Sequence, residues 1–176
     1  MRFEAPSPNA RGHHAGVVTL ANGLDQRCSR HVEDAVERAR RRHPQAHLTI
    51  TSTRANPPSP AVVRGWAPGL RIAVDNLLEN AARHGGPQPR IDVAIDSRPR
   101  GEVIVVVDDN GPGVDPDELD HLTERFARGR RTSAPGSGLG LAVVNQQATL
   151  HGGHLSLTAS HRGGLRAELH LPTALG

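Results

Sequence analysis

Between Pro68 and Gly85, apolar residues fall at positions 70, 73, 74, 77, 78 and 81. That is the repeat of an α-helix with a single apolar stripe, and such a stripe has to be covered by other elements. Pro68 suits the first turn, where its missing N–H costs nothing, and Gly85-Gly86 supplies the stop. A second helix is predicted over 30–41, with Val32, Ala35, Val36 and Ala39 on one side, acids and arginines on the other, and Ser29 as its cap. Segments 47–51, 62–66, 90–95, 102–107, 154–159 and 165–171 read as strands, the last two linked by Arg162-Gly163-Gly164. Asp115-Pro116 followed by Glu118 opens a short helix, and 139–150 forms another that Gly152-Gly153 ends. Helices with one apolar side and strands without regular βαβ alternation imply an α/β two-layer sandwich: a mixed, mostly antiparallel sheet covered on one face.

The 176 residues suffice for one domain with a real core. Residues 1–28 lack a sustained period. Val17-Val18-Thr19-Leu20 is compatible with a short strand, and the whole segment with a tail or linker ahead of a domain over 29–176. Lysine is absent, so the net charge of +3 is carried by arginine alone. This excludes a Walker phosphate loop, which requires lysine. Two Phe, one Trp and no Tyr argue against an aromatic platform for single-stranded nucleic acid, and no nucleic-acid partner is expected. The single Cys28 excludes an intramolecular disulfide and a cysteine zinc site. No stretch approaches 18 apolar residues and the first 25 residues lack a signal core, so a cytoplasmic domain without direct membrane contact is expected.

Three segments offer chemistry. Asn76 and Asn80 lie four apart and project from one side of the helix predicted after Pro68. An amide carbonyl there can coordinate Mg²⁺ while its NH₂ group donates to a phosphate; the alternative is a structural amide network. Arg83 and His84, one turn on, are within reach of the same phosphate or simply face solvent. Asp109 ends a hydrophobic strand ahead of Asn110-Gly111-Pro112-Gly113. Its carboxylate can accept from the exocyclic amine of adenine, with Gly111 and Gly113 letting the backbone approach the ring, or it can cap the turn. Gly136-Ser137-Gly138-Leu139-Gly140 leads into a helix whose free N–H groups attract an anion, although glycines before a helix also serve as linkers. Upstream stand Arg125, Arg128, Arg130 and Arg131, of which Arg128 is the candidate for the terminal phosphate.

Taken in order, these segments resemble the N, G1, F, G2 and G3 boxes of the GHKL ATP-binding superfamily, specifically the catalytic domain of bacterial sensor histidine kinases. The resemblance runs from about residue 29 to 172. Asn76 through His84 is similar to the N box, Asp109 through Gly113 to G1, Glu124-Arg125-Phe126-Ala127-Arg128 to the F box, Gly136 through Gly140 to G2, and His151-Gly152-Gly153 to G3. The resemblance implies that Asn80 holds Mg²⁺, Asp109 contacts adenine and the glycine segment holds the phosphates of ATP. Asn76 occupies the position where ATP-hydrolysing relatives carry a glutamate that activates water. Glu79, one residue off the Asn76/Asn80 side, is expected to be structural or to support the site residues from behind.

The implied reaction is transfer of the γ-phosphoryl group to a histidine on a dimerisation domain of the same kinase, with a response regulator downstream and a membrane anchor in the full-length protein. Residues 1–28 do not suit the helical hairpin of such a domain, and His31 lacks the acceptor context, so a catalytic domain separate from its receiver helices is expected. The isolated chain is accordingly expected to bind nucleotide without phosphorylating itself. Two alternatives are a GHKL serine kinase of the anti-sigma type and a nucleotide-binding module that has lost turnover.

Overall fold

The computed structural model describes residues 16–21, 30–53, 61–98, 101–119, 121–123 and 138–173. The elements run β1 (Gly16–Ala21), α1 (Arg30–Arg42), β2 (His47–Thr53), β3 (Ala61–Gly65), α2 (Ala67–His84), β4 (Arg90–Arg98), β5 (Glu102–Asp109), α3 (Pro116–Leu119), α4 (Gly140–Leu150), β6 (His154–Ala159) and β7 (Leu165–Pro172). Five strands form one sheet in the order β2-β4-β5-β7-β6. Only the β2–β4 pair is parallel, so the sheet is mixed and mostly antiparallel, as expected.

Strand alternation sorts the side chains of this sheet. Val103, Val105 and Val107 of β5 point into the core with Ile91, Val93 and Ile95 of β4 and Leu165, Ala167, Leu169 and Leu171 of β7. Against them pack the stripes of both predicted helices: Val32, Ala35, Val36 and Ala39 of α1, and Leu70, Ala73, Val74, Leu77, Leu78 and Ala81 of α2 are all buried. The stripe of α2 is wider than the sequence suggested, since Gly69 and Ala82 are buried too. This helix packs beside both α1 and α4, which close over its flanks.

The opposite face of the sheet carries the buried Ile104 and Val106 of β5 among polar side chains laced with ion pairs. Asp92 and Asp108 stand directly across from each other on β4 and β5, an arrangement that repels unless compensated. Arg162 pairs with Asp92, and Arg166 Nη1 lies 3.1 Å from Asp108 Oδ2. The ring of His170 lies between Glu102 and Glu168 and stacks on His154.

Strand β3 differs from the simplest reading of the sequence. It pairs antiparallel with β1, with Gly16 opposite Gly65, and forms a separate two-stranded sheet. A bridge from Val63 to Thr173 joins it to the end of β7. The strand possibility at Val17-Val18-Thr19-Leu20 is thus the conformation those residues adopt. The Ser29 cap lies outside the described residues.

Candidate functional site

Positions 76, 80 and 84 recur every four residues along α2 and so share one side of it. Asn76 donates from Nδ2 to the carbonyl of Ile72 at 2.8 Å, which directs its Oδ1 outward. A β-carbon built on Gly140, the first residue of α4, would lie 3.4 Å from that Oδ1. The start of α4 has no side-chain cap, so its first-turn N–H groups are left to other partners beside Asn76. At the other end of the row, the backbone carbonyl of His84 abuts Gly111, where a β-carbon would approach it to 2.3 Å. The row therefore meets the glycine segment at one end and the β5 turn at the other. Asn80 lies midway, half exposed.

Asp109 and Asp108 are neighbours with opposite fates because β5 alternates. Asp108 faces the ion-paired side, whereas Asp109 faces the helices and is 3% exposed. One oxygen of Asp109, Oδ1, accepts from the N–H of Gly111 at 2.8 Å and from that of Leu165 at 3.2 Å. The other, Oδ2, takes part in neither bond. Capping the turn and offering an acceptor are thus divided between the two oxygens of one carboxylate. Burial pushes its pKa above the ordinary carboxylate value, the two N–H donors partly offset this, and the charge of Asp108 adds to the rise. Asn110 anchors the same turn, its Oδ1 accepting from Arg90 N–H at 2.7 Å.

Burial, helped by the charge of Arg83, holds the pKa of His84 below the usual histidine value and so favours the neutral ring. Arg83 itself reaches back one turn and donates to Glu79 Oε1 at 2.8 Å. The other oxygen of Glu79 accepts from His43 Nε2, also at 2.8 Å. Burial raises the pKa of Glu79, but these two partners outweigh it and bring the carboxyl below its ordinary value. Glu79 is therefore an ionised tie between α2 and the end of α1. Gly138 and Leu139 precede α4, Gly138 with φ of 66°. Gly113 lies against the β6–β7 turn, a β-carbon there falling 2.7 Å from the carbonyl of Gly163. Gly136, Ser137, Arg128 and the segment around Phe126 lie outside the described residues.

Residues 66–175 match the family described as Histidine kinase-, DNA gyrase B-, and HSP90-like ATPase. The chain belongs to that family. It is 43% identical over 141 residues, 80% of its own length, to the sensor-type histidine kinase PrrB of Mycobacterium leprae. It spans 30% of that relative's length. Among solved structures, the mycobacterial sensor histidine kinase MprB superposes with a TM-score of 0.76 at 33% identity, covering 89% of this chain and 97% of that one. The ATP binding domain of PrrB from Mycobacterium tuberculosis gives 0.69 at 33% identity, covering 90% and 97%. The layered sheet and helices are thus those of histidine-kinase ATP-binding domains.

Within this family fold, two supports escaped the reading of the sequence. The first is Gly164, read there only as part of a link. A β-carbon on it would lie 2.0 Å from Asp109 Oδ1, so its bareness is what lets the carboxylate reach Leu165 N–H. A Gly-Gly pair was visible, but nothing local tied Gly164 to a residue 55 positions earlier.

The second is His151, in the segment similar to the G3 box. Its Nδ1 donates to Gln147 C=O at 2.7 Å and its Nε2 accepts from Trp66 N–H at 3.0 Å. This network requires the tautomer with hydrogen on Nδ1. The ring joins the end of α4 to the start of α2 and lies against Gly65, where a β-carbon would fall 2.2 Å from it. His151→Ala is expected to cost about 2–4 kcal/mol, because it opens a cavity and orphans the Trp66 N–H. Urea unfolding measures this. Gly65→Ala, destabilising in the parent, should cost far less in the His151→Ala background, because the clashing ring is gone.

Proposed function

We propose that this chain is the ATP-binding catalytic domain of a two-component sensor histidine kinase. It holds ATP–Mg²⁺ and presents the γ-phosphoryl group to a histidine of a dimerisation domain, from which a response regulator receives it. The domain works on the cytoplasmic side of a membrane-anchored protein. The observation that carries this reading is the row 76–80–84, flanked by the uncapped start of α4 at one end and by the Asp109 turn at the other.

The donor set fits the ligand. Asn80 offers a half-exposed amide oxygen of the hard type that Mg²⁺ prefers. Bound there, the metal would neutralise phosphate charge as the phosphoryl group moves. Asn80 is assigned as the metal ligand, and Asn76 to the phosphates beside the first N–H groups of α4. The segment 136–140 cradles the phosphates, with Arg128 at the terminal one. Asp109 Oδ2 accepts from the amine of adenine, with Gly111 and Gly113 letting the ring come close. His84 contributes a neutral wall, and Arg83 a positive charge whose guanidinium is shared with Glu79.

Asn76 offers no base for water, and Glu79 is occupied by His43 and Arg83. Transfer to histidine therefore depends on placement and charge neutralisation, which is how phosphoryl transfer is generally catalysed. Without an acceptor in reach, the isolated chain binds nucleotide and turns over little of it.

Calorimetric titration with a non-hydrolysable ATP analogue tests this. Binding is expected to require Mg²⁺ for full affinity and to favour ATP over GTP. Asp109→Asn should lower ATP affinity about 10- to 100-fold, the loss of a charged hydrogen bond. The variant should fold normally, because an asparagine Oδ1 still accepts from Gly111 and Leu165. With its folded pKa raised, Asp109 adds stability only below its unfolded value, and that gain disappears as pH rises through the folded one. At neutral pH the parent carries a buried charge at a cost, so Asp109→Asn should be at least as stable there. Equal losses for ATP and GTP would mean the turn, not the base contact, had been damaged.

A further inference from the structure

An acid precedes each amide of the functional row: Asp75-Asn76 and Glu79-Asn80. Adjacent helical residues are about 100° apart, so Asp75 and Glu79 form a second row beside the first. That second row faces α1. Arg38 Nη2 of α1 donates to Asp75 Oδ1 at 2.9 Å, and His43, just past the end of α1, donates from Nε2 to Glu79 Oε2 at 2.8 Å. The side chains of the Arg38–Asp75 pair are 19% and 20% exposed, and those of His43–Glu79 18% and 31%, so both contacts are shielded well beyond ordinary surface pairs. From α2 itself, Arg71 Nε lies 3.6 Å from Asp75 and Arg83 donates to Glu79. Each acid is thus held both from within α2 and from α1 or the residue that follows it.

Such a grip has a physical purpose. The buried side of α2 alternates Leu70, Val74, Leu77 and Leu78, which interlock with the core, with Gly69, Ala73, Ala81 and Ala82, which interlock little. Apolar contact is non-directional and tolerates slight rotation, whereas hydrogen-bonded ion pairs do not. At a side-chain radius of roughly 5–6 Å, a helix rotation of about 20° moves a side-chain tip by about 2 Å. Mg²⁺ demands near-ideal ligand geometry, so a shift of that size would undo its coordination.

We propose that Asp75 and Glu79 are positioning residues. Clamped by Arg38 and His43, they set the rotation of α2 and so aim Asn76 and Asn80. This rests on the ATP–Mg²⁺ reading above.

The test compares the affinity for a non-hydrolysable ATP analogue with Mg²⁺ and with a chelator, alongside thermal unfolding without nucleotide. Asp75→Ala/Glu79→Ala should reduce the factor by which Mg²⁺ strengthens binding by about tenfold, as loss of groups that orient a metal ligand does. Metal-free affinity should fall by a smaller factor, since of the two aimed amides only Asn76 is assigned to the phosphates and Asn80 acts through the metal. Glu79→Gln keeps a carbonyl acceptor for the same donors and should restore most of the loss caused by Glu79→Ala. If the double variant does not fold, the Glu79→Ala and Glu79→Gln pair decides the matter. Variants that lower the unfolding temperature yet keep the parental Mg²⁺ factor would reduce the clamp to a structural tie and overturn the proposal. A parent chain that binds no ATP at all would remove the underlying reading, and this inference with it.

Discussion

Replacing Asn80 with alanine is expected to weaken Mg²⁺-dependent ATP binding on the order of 100-fold, more than is lost when only a supporting partner of a metal ligand is removed. Stability should change by no more than about 0.5 kcal/mol, because the core stripe of α2 lies on other positions and alanine is the better helix former. Calorimetry with and without Mg²⁺ reads the first effect and thermal unfolding the second. The two together separate a lost ligand from a damaged fold. Affinity that stays at the parental level in the presence of magnesium would take Asn80 out of the site.

Gly164→Ala should have the opposite signature, with folding hit hard. Its new β-carbon would fall 2.0 Å from Asp109 Oδ1 and 2.5 Å from both Asp109 O and Gly111 N. Two of those three atoms belong to backbone, so no side-chain rotation relieves the clash. Moving the β6–β7 turn away sacrifices the Leu165 N–H bond and leaves a buried carboxylate short of donors, at a cost of about 3–5 kcal/mol. Urea unfolding should show the loss, and nucleotide affinity should fall with it. Gly163→Ala is the control. That residue has φ of +95° but nothing within 4 Å of a β-carbon, so it bears only the penalty of left-handed backbone, about 1–2 kcal/mol, and Asp109 stays in place. If Gly164→Ala proves as mild as Gly163→Ala, Asp109 does not depend on that close approach.

Much of the geometry of the candidate site was legible because its signals are local. Asn76, Asn80 and His84 share a side of α2 by helical repeat alone, and Asp109 is set on the helix-facing side of β5 by strand alternation. The short helix after Asp115, the helix into Gly152-Gly153 and both apolar stripes likewise follow from spacings of a few residues. The pairing of β3 could not be read this way. A five-residue strand with only Ala61, Val62 and Val63 apolar in sequence fits either sheet, and its choice of β1 depends on a partner some 45 residues away. Arg83 pairs with Glu79 one turn back on the same helix, a contact four residues long, whereas the second partner of Glu79, His43, depends on where α1 packs.

The amino-acid order alone determined which segments are helices and strands, which of their sides are apolar, and which polar groups stand in register along α2 and at the end of β5. Only the tertiary structure decided that Glu79 serves as a tie to His43, that Gly164 makes room for Asp109, and that His151 braces Trp66. Those contacts join residues 36, 55 and 85 positions apart. Repeat and turn chemistry act over a few neighbouring residues, whereas such pairings exist only once the layers have packed and removed the groups from water.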